Sequence, residues 1–122
     1  ETLDGGAESA RRILEAGGRL GMGGDYGFAW NPHGDYAKEL SFFVDFVGLK
    51  PLDVLKCATK TGAEILDRDE EIGTIEAGKL ADILIVDGDV VSDISILQDR
   101  SKILAVMQGG VIKAGQLIAP AV

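Results

Sequence analysis

The sequence predicts an α/β protein, with helices and one buried strand in its first half and mostly strands in its second half. Apolar residues recur at helical spacing in several segments before residue 67, whereas alternating and β-branched runs dominate after it. Six glycines lie between Gly17 and Gly27, which leaves little side-chain bulk around a short apolar run. The pattern therefore changes near Asp67.

The first predicted elements are a helix that follows Asp4, with Ala10, Ile13, Leu14 and Gly17 at helical spacing, and a strand over 19–25. Asp4 is the expected N-cap of the helix, and a Gly-Gly pair supplies a left-handed stop. In the strand, Leu20 and Met22 alternate with small or polar residues, which is typical of a crowded, buried position.

A structured loop over 26–34 follows, because turn-forming Gly, Asn and Pro residues surround Trp30 and His33. A helix is predicted over 35–47, since its apolar residues form one stripe and Asp35 is a suitable N-cap.

The next helix is expected to begin at Pro51, a residue that suits the first helical turn. Leu52, Leu55 and Ala58 are expected to face inward from it. Thr61 and Glu64 have capping-box spacing, which predicts a break over 59–61 and a second short helix after it.

Four strands are predicted in the second half of the chain. Their β-branched runs lie at 72–75, 81–86, 103–107 and 111–113. Gly109-Gly110 separates the last two runs and indicates a hairpin turn.

Composition excludes several classes of function. The 122 residues include 12 Lys plus Arg against 20 Asp plus Glu, a net charge of −8, so neither nucleic acid nor an anionic membrane surface is an expected partner. No apolar run approaches the roughly 18–20 residues of a membrane span. The single Cys57 cannot form an internal disulfide and is expected to be a buried, inert thiol. We expect a cytoplasmic protein without a targeting segment.

Asp25 is the first candidate functional residue. It ends the predicted buried strand, beside glycines and ahead of a polar and aromatic loop, which is where α/β barrels place catalytic groups. A carboxylate there can bind a metal ion or accept a proton from a hydrolytic water. The local pattern alone favours the alternative, an Asp that caps its own loop.

His33 is the second candidate, for substrate binding. It is the only imidazole in the chain, and catalytic zinc usually takes three protein ligands, so these residues alone offer at most Asp25 and His33. A hydrogen-bonding surface role is the alternative.

Four motifs together resemble the carboxyl-terminal end of the amidohydrolase superfamily, in the branch of imidazolonepropionase-like and Xaa-Pro or Xaa-Arg dipeptidase-like metal-dependent hydrolases. The resemblance covers nearly the whole chain, and its most specific motif is the last. The motifs are Leu20-Gly-Met-Gly-Gly-Asp25, His33-Gly34 with Glu39-Leu40, the run from Pro51 through Ala58-Thr59 to Ala63-Glu64, and Ile72-Gly-Thr-Ile-Glu-Ala-Gly-Lys-Leu-Ala-Asp82.

The resemblance implies that residues 1–67 are the end of a (β/α)8 barrel and residues 68–122 part of a small β-sandwich. It implies that Asp25 binds the metal ion and accepts the proton of the hydrolytic water, and that His33 faces the substrate. The implied cofactor is a divalent metal ion, with zinc the expected ion. The implied substrate is a small amide or peptide-like molecule.

The sequence departs from the family pattern in two respects. Gly24 stands where the family usually has Thr or Ser, and the remaining metal ligands of the family have no counterpart in these residues. A barrel needs about 250 residues. Two hypotheses follow: the chain is the carboxyl-terminal part of a metal-dependent hydrolase of C–N bonds, or it is a non-catalytic piece that associates with itself or with the missing part of the barrel.

Overall fold

The computed structural model describes residues 2–117. Residue 1 of the first predicted domain and residues 118–122 of the second lie outside the described residues. Helix α1 spans Thr2–Glu15. It begins earlier than expected, so Asp4 lies within its first turn and is not its N-cap; an acidic side chain there favours the helix dipole. The predicted Gly stop is confirmed, because Gly17 has φ +80° and the Gly18 amide donates to the Ile13 carbonyl at 2.8 Å.

The predicted strand over 19–25 is wrong for the described part of the chain. These residues are in no sheet, and the three strands that do pair all lie after residue 82. A strand is stabilised by backbone hydrogen bonds to a neighbour. No described strand lies beside this segment, so its apolar alternation alone does not produce a strand.

Helix α2 spans Ala37–Phe42 and continues without interruption as a π-helical turn over Phe43–Val47. Gly48, at φ +83°, ends it in the left-handed conformation. The predicted helix is thus confirmed, but Asp35 does not cap it: the helix begins two residues later, and no side chain bonds its first amides.

Helix α3 spans Pro51–Lys56, passes through a π-helical turn at Cys57–Thr61 and continues as α4 over Gly62–Ile65. The break expected over 59–61 is therefore absent. Thr61 has helical angles and makes no capping hydrogen bond, since the preceding residues already satisfy the helical ladder.

The buried face of this helix also differs from the expectation. Val54 is fully buried and Cys57 is buried, whereas Leu52 is 48% exposed. Val54 and Cys57 are three residues apart and share one helical face, which excludes Leu52.

Cys57 provides a prediction about thiol reactivity. Burial raises the pKa of the Cys57 thiol, and the nearby Asp53 carboxylate raises it further. The folded protein should therefore hold less thiolate at a given mildly alkaline pH than the unfolded protein, and the pH profile of alkylation should move upward on folding. Peptide mapping after iodoacetamide treatment measures this; equal alkylation rates in buffer and in urea would contradict it.

The predicted strand over 72–75 is also wrong. Residues 72–74 form bends, and Gly73, at φ +92°, lies against the π-helical turn at Cys57–Thr61. The Lys79 ammonium closes the loop by donating to the Asp69 carbonyl and to the Thr74 hydroxyl, both at 2.6 Å. Lys79 thus donates hydrogen bonds to loop oxygens that are not paired with a neighbouring strand.

The three remaining predicted strands are confirmed as one antiparallel sheet in the order β1-β2-β3. They span Ile83–Val86, Ile103–Gln108 and Val111–Ala114. Gly109 and Gly110 both have positive φ, as a type I′ hairpin turn requires.

Two 3₁₀-helical turns, at Ile94–Gln98 and Arg100–Lys102, connect β1 to β2 and bring the second half against α2. The Gln98 side chain donates to the Ser41 hydroxyl at 2.7 Å, and Arg100 donates to the Gly34 carbonyl at 3.3 Å. These contacts fix the helical half of the chain against the half that carries the sheet.

The buried core of residues 4–117 is small and many large apolar side chains are exposed. Its members are Ala7, Val54, Cys57, Ala63, Ile94 and Ala105. Such a core supplies little burial free energy for a chain of this length. None of the described helices combines the length and apolar character needed to cross a bilayer.

Candidate active site around Asp25

The segment that leads to Asp25 is tied to α4 by contacts of two kinds. Arg19, at its start, forms an ion pair with Glu64 of α4. A Cβ at Gly21 would overlap the end of the Ile65 side chain, so this segment lies close against α4. The glycine-rich composition thus allows close approach to the helix, the role that crowding in the sequence suggested.

Asp25 itself is exposed, and its backbone has φ +48°. No hydrogen bond to its carboxylate is made by residues 2–117. Its backbone carbonyl accepts a hydrogen bond from the Asn31 side chain at 3.4 Å, and Asn31 also donates to the Gly24 carbonyl. The loop therefore binds the backbone around Asp25 and leaves its carboxylate open.

Asp25 borders two clefts. One, of about 650 Å³, lies between the loop and α2; Phe28 and Trp30, stacked at 5.8 Å between ring centroids, form part of its wall. Asp35 and Lys38 line it as well. The other cleft, of about 540 Å³, opens toward β1 and the first 3₁₀ turn. The carboxylate is thus accessible to a small molecule or an ion.

Tyr26 and Glu39 form a hydrogen-bonded pair beside Asp25. The Tyr26 hydroxyl has one proton, which it can donate to Glu39 Oε2 at 3.1 Å or to the Tyr36 carbonyl at 3.2 Å. Burial, followed by the charge and hydrogen bond of Glu39, raises the pKa of Tyr26 to about 12. Tyr26 therefore remains a neutral hydrogen-bond donor at physiological pH.

His33 is exposed, and it is brought into contact with Tyr36 rather than with Asp25. Its Nδ1 lies 3.2 Å from the Tyr36 hydroxyl, and its ring covers Gly27, where a Cβ would lie 3.2 Å from Nε2. Among the described residues that line the two clefts, His33 does not occur. In this arrangement the His33 ring contacts Tyr36 and Gly27.

Two charged residues of the most specific sequence motif, Lys79 and Asp82, have structural roles. Lys79 closes the loop over 69–79, as described above, and the Asp82 carboxylate accepts the Gly109 amide at 2.7 Å. The adjoining Gly110 amide donates to the Ala81 carbonyl at 3.0 Å. This motif therefore organises the sheet and its hairpin rather than contributing a reacting group.

Glu39 contacts the residues around Asp25 and was not predicted as a site residue, although its place in the sequence could have indicated it. It lies three residues after Tyr36 and four before Phe43, so it falls on the stripe that the apolar residues of α2 define. A carboxylate on such a face needs partners, since a polar group removed from water without them is costly. Its partners proved to be the residues on either side of Asp25.

Comparison with protein families matches residues 1–113 to the Amidohydrolase family. Among curated proteins, the chain is 37% identical over 78 residues to imidazolonepropionase of Caldanaerobacter subterraneus subsp. tengcongensis, covering 64% of this chain and 19% of that protein. It is 35% identical over 85 residues to imidazolonepropionase of Thermoanaerobacter pseudethanolicus, covering 70% and 20%. The chain thus spans about a fifth of the length of these relatives.

Solved structures of similar fold include hydrolases of dipeptides. An Xaa-Pro dipeptidase with bound methionine in its active site superposes with a TM-score of 0.79 and 30% identity, covering 89% of this chain and 25% of that one. A putative prolidase from Bifidobacterium longum superposes with a TM-score of 0.81 and 32% identity, covering 88% and 26%. The match again spans about a quarter of the longer proteins.

Proposed function

The chain belongs to the amidohydrolase family, and from that premise we propose that it forms the carboxyl-terminal part of a metal-dependent hydrolase that cleaves C–N bonds. The observation that carries the proposal is the Asp25 carboxylate, which is exposed, unbonded among the described residues and borders two clefts. The relatives bear the names of an imidazolonepropionase and of dipeptidases, which supports a small amide or peptide-like substrate.

The residues of this chain fit a divalent metal ion in part. Carboxylate oxygen is a suitable ligand for zinc, manganese, iron or cobalt, and Asp25 offers its oxygens without a competing hydrogen bond from residues 2–117. No group of three or more His, Cys, Asp or Glu side chains in the described residues is placed to hold an ion. Asp25 would therefore be one ligand, and the others would come from the rest of the barrel.

Asp25 also has the chemistry of a proton acceptor. When bound, a divalent ion, for which we propose zinc, supplies a Lewis acid and lowers the pKa of the attacking water. The Asp25 carboxylate accepts the proton that this water releases as its oxygen bonds to the substrate carbonyl carbon. Asp25 then returns the proton to the leaving nitrogen as the C–N bond breaks, so the carboxylate is regenerated.

The wider assignments belong to the same proposal. Residues 1–67 would be the end of the barrel, and residues 68–122 would contribute to a small β-sandwich. His33 would contact the substrate at the edge of the loop, which requires it to turn from its present partner Tyr36. The protein partner would be the remaining barrel or a second copy of the chain, and the location would be the cytoplasm.

A second candidate is a non-catalytic piece that associates through its apolar surfaces. A cleft of about 520 Å³ with almost wholly apolar walls lies between α1 and the helix that follows Tyr36. It is lined by Gly6, Ala7, Ala10, Phe42, Phe43, Phe46 and Val47. Exposed apolar area of this kind favours association, so this candidate explains the surface but not the open carboxylate.

The proposed activity can be tested with the intact protein that contains this chain. Metal-loaded protein should hydrolyse at least one class among cyclic amides and dipeptides, should lose that activity after chelation and should regain it with added zinc. Product amines and carboxylates are quantified by mass spectrometry. Hydrolysis that survives complete chelation, or no hydrolysis of either class by metal-loaded protein, would contradict the proposal.

A further inference from the structure

The backbone of Asp25 adopts a conformation that its own sequence neighbours do not explain. Two non-glycine residues in the described chain have positive φ, Asp25 at +48° and Asp67 at +55°. Asp67 follows the end of α4, where the Arg68 amide closes the helix on the Ala63 carbonyl at 2.9 Å. Asp25 follows no helix. Left-handed conformations are unfavourable for residues other than glycine and persist where surrounding contacts impose them.

Glu39 makes the contacts that bracket Asp25. Its Oε1 accepts the Gly23 amide at 2.9 Å, two residues before Asp25. Its Oε2 accepts the Tyr26 hydroxyl at 3.1 Å, one residue after Asp25. Neither interaction involves the Asp25 carboxylate, so a single side chain of α2 holds the chain on both sides of it.

The Tyr26 ring completes the arrangement. A Cβ at Gly24 would lie 2.6 Å from Tyr26 Cζ, so the ring fills the space that a side chain at residue 24 would occupy. From the opposite side, Asn31 donates to the carbonyls of Gly24 and Asp25. The backbone from Gly23 to Tyr26 is therefore fixed by two hydrogen-bonding side chains and one aromatic ring.

We propose that Glu39 is a positioning residue, which acts through Gly23 and Tyr26 to set the direction of the Asp25 carboxylate. The inference rests on the proposed function, because it assigns Glu39 a role only through Asp25. Glu39 also lines both clefts that Asp25 borders, and the inference predicts that its effect on metal binding and turnover passes through the backbone around Asp25.

The test uses the intact protein with Glu39→Ala, Glu39→Gln and the control Glu64→Ala. Glu64 is also a half-buried helical carboxylate tied to the same segment, through Arg19, but it does not bracket Asp25. Loss of a group that orients a metal ligand typically costs 10–100-fold, so Glu39→Ala should raise the dissociation constant for zinc and lower kcat by about that factor. If Glu39 acts through Asp25 alone, KM should change little while kcat falls.

The conservative variant and a double-mutant cycle separate positioning from general stabilisation. Glu39→Gln keeps an oxygen for the Gly23 amide and should recover most of the zinc affinity. In an Asp25→Asn background, Glu39→Ala should produce no further loss of zinc affinity, because its effect passes through Asp25. Tyr26→Phe keeps the ring over Gly24 and gives a second cycle partner if Glu39→Ala fails to fold.

Three results would overturn the inference: wild-type zinc affinity and kcat in Glu39→Ala, an equal loss in Glu64→Ala, or additive losses in the cycle with Asp25→Asn. The proposed function fails separately. If Asp25→Asn itself leaves zinc affinity and turnover unchanged, then the hydrolase assignment of Asp25 is wrong. If Asp25→Asn abolishes both while Glu39→Ala resembles wild type, only the role of Glu39 is rejected.

Discussion

Asp25→Asn in the intact protein should lower kcat by about 10²–10⁴-fold, the range for loss of a positioned proton acceptor. The amide has nearly the shape of the carboxylate but cannot take the proton of the hydrolytic water. Because the Asp25 side chain is exposed and makes no hydrogen bond to residues 2–117, the substitution should leave the fold intact. Steady-state kinetics with the best substrate measures the effect, and circular dichroism checks the fold.

Asp45→Asn is the matched control for this variant. Asp45 is also an exposed aspartate, in the π-helical turn after α2, and it lines neither cleft that Asp25 borders. It should retain wild-type kcat. Equal turnover in the Asp25 and Asp45 variants would remove Asp25 from the mechanism.

Gly73→Ala should cause a large loss of stability, about 2–5 kcal/mol. Gly73 has φ +92°, which costs an L-residue about 1–2 kcal/mol. The added Cβ would also lie 2.5 Å from the Ala63 Cβ and 3.0 Å from the Thr59 carbonyl oxygen, and such overpacking costs about 1–3 kcal/mol. Chemical denaturation of the intact protein gives the free energy of unfolding.

Gly78→Ala separates the two causes. Gly78 has almost the same φ, +94°, but a Cβ there meets no atom within 4 Å. It should therefore lose only the conformational part, about 1–2 kcal/mol. Equal losses in the two variants would show that the close packing of Gly73 against the helix contributes nothing.

Local patterns predicted the elements that local interactions stabilise. The helical stripe after residue 35 and the Gly109-Gly110 hairpin were both recognisable, because helix periodicity and the type I′ turn depend on nearby residues. The segment over 19–25 has an equally clear alternation, but a strand also requires a partner that no local pattern specifies.

In the helix from Pro51 to Ile65, the local pattern predicted a break that the structure does not contain. Thr61 and Glu64 have the spacing of a capping box, yet Glu64 pairs with Arg19, far away in sequence, and Thr61 stays helical. The Glu64 carboxylate, which a capping box would have required, therefore forms a tertiary ion pair instead.

Asp25 stays a predicted site residue: the structure shows it exposed beside two clefts, and the sequence analysis did not predict the side chains around it. The end of an apolar run next to glycines indicated Asp25 from sequence alone. The contacts of Glu39 with Gly23 and Tyr26 join α2 to the loop, and such pairings depend on how the elements pack. Even so, a carboxylate on the apolar stripe of a helix was a signal that a partner existed.

The metal content of the intact protein, measured by inductively coupled plasma mass spectrometry together with its mass, tests the central claim most directly. The account predicts a species much larger than the 12.8 kDa of this chain, with bound zinc in the wild type and a marked loss of zinc in Asp25→Asn. Zinc content that is the same in both proteins would contradict the assignment of Asp25 as a ligand. A metal-free 12.8 kDa species would favour the non-catalytic candidate.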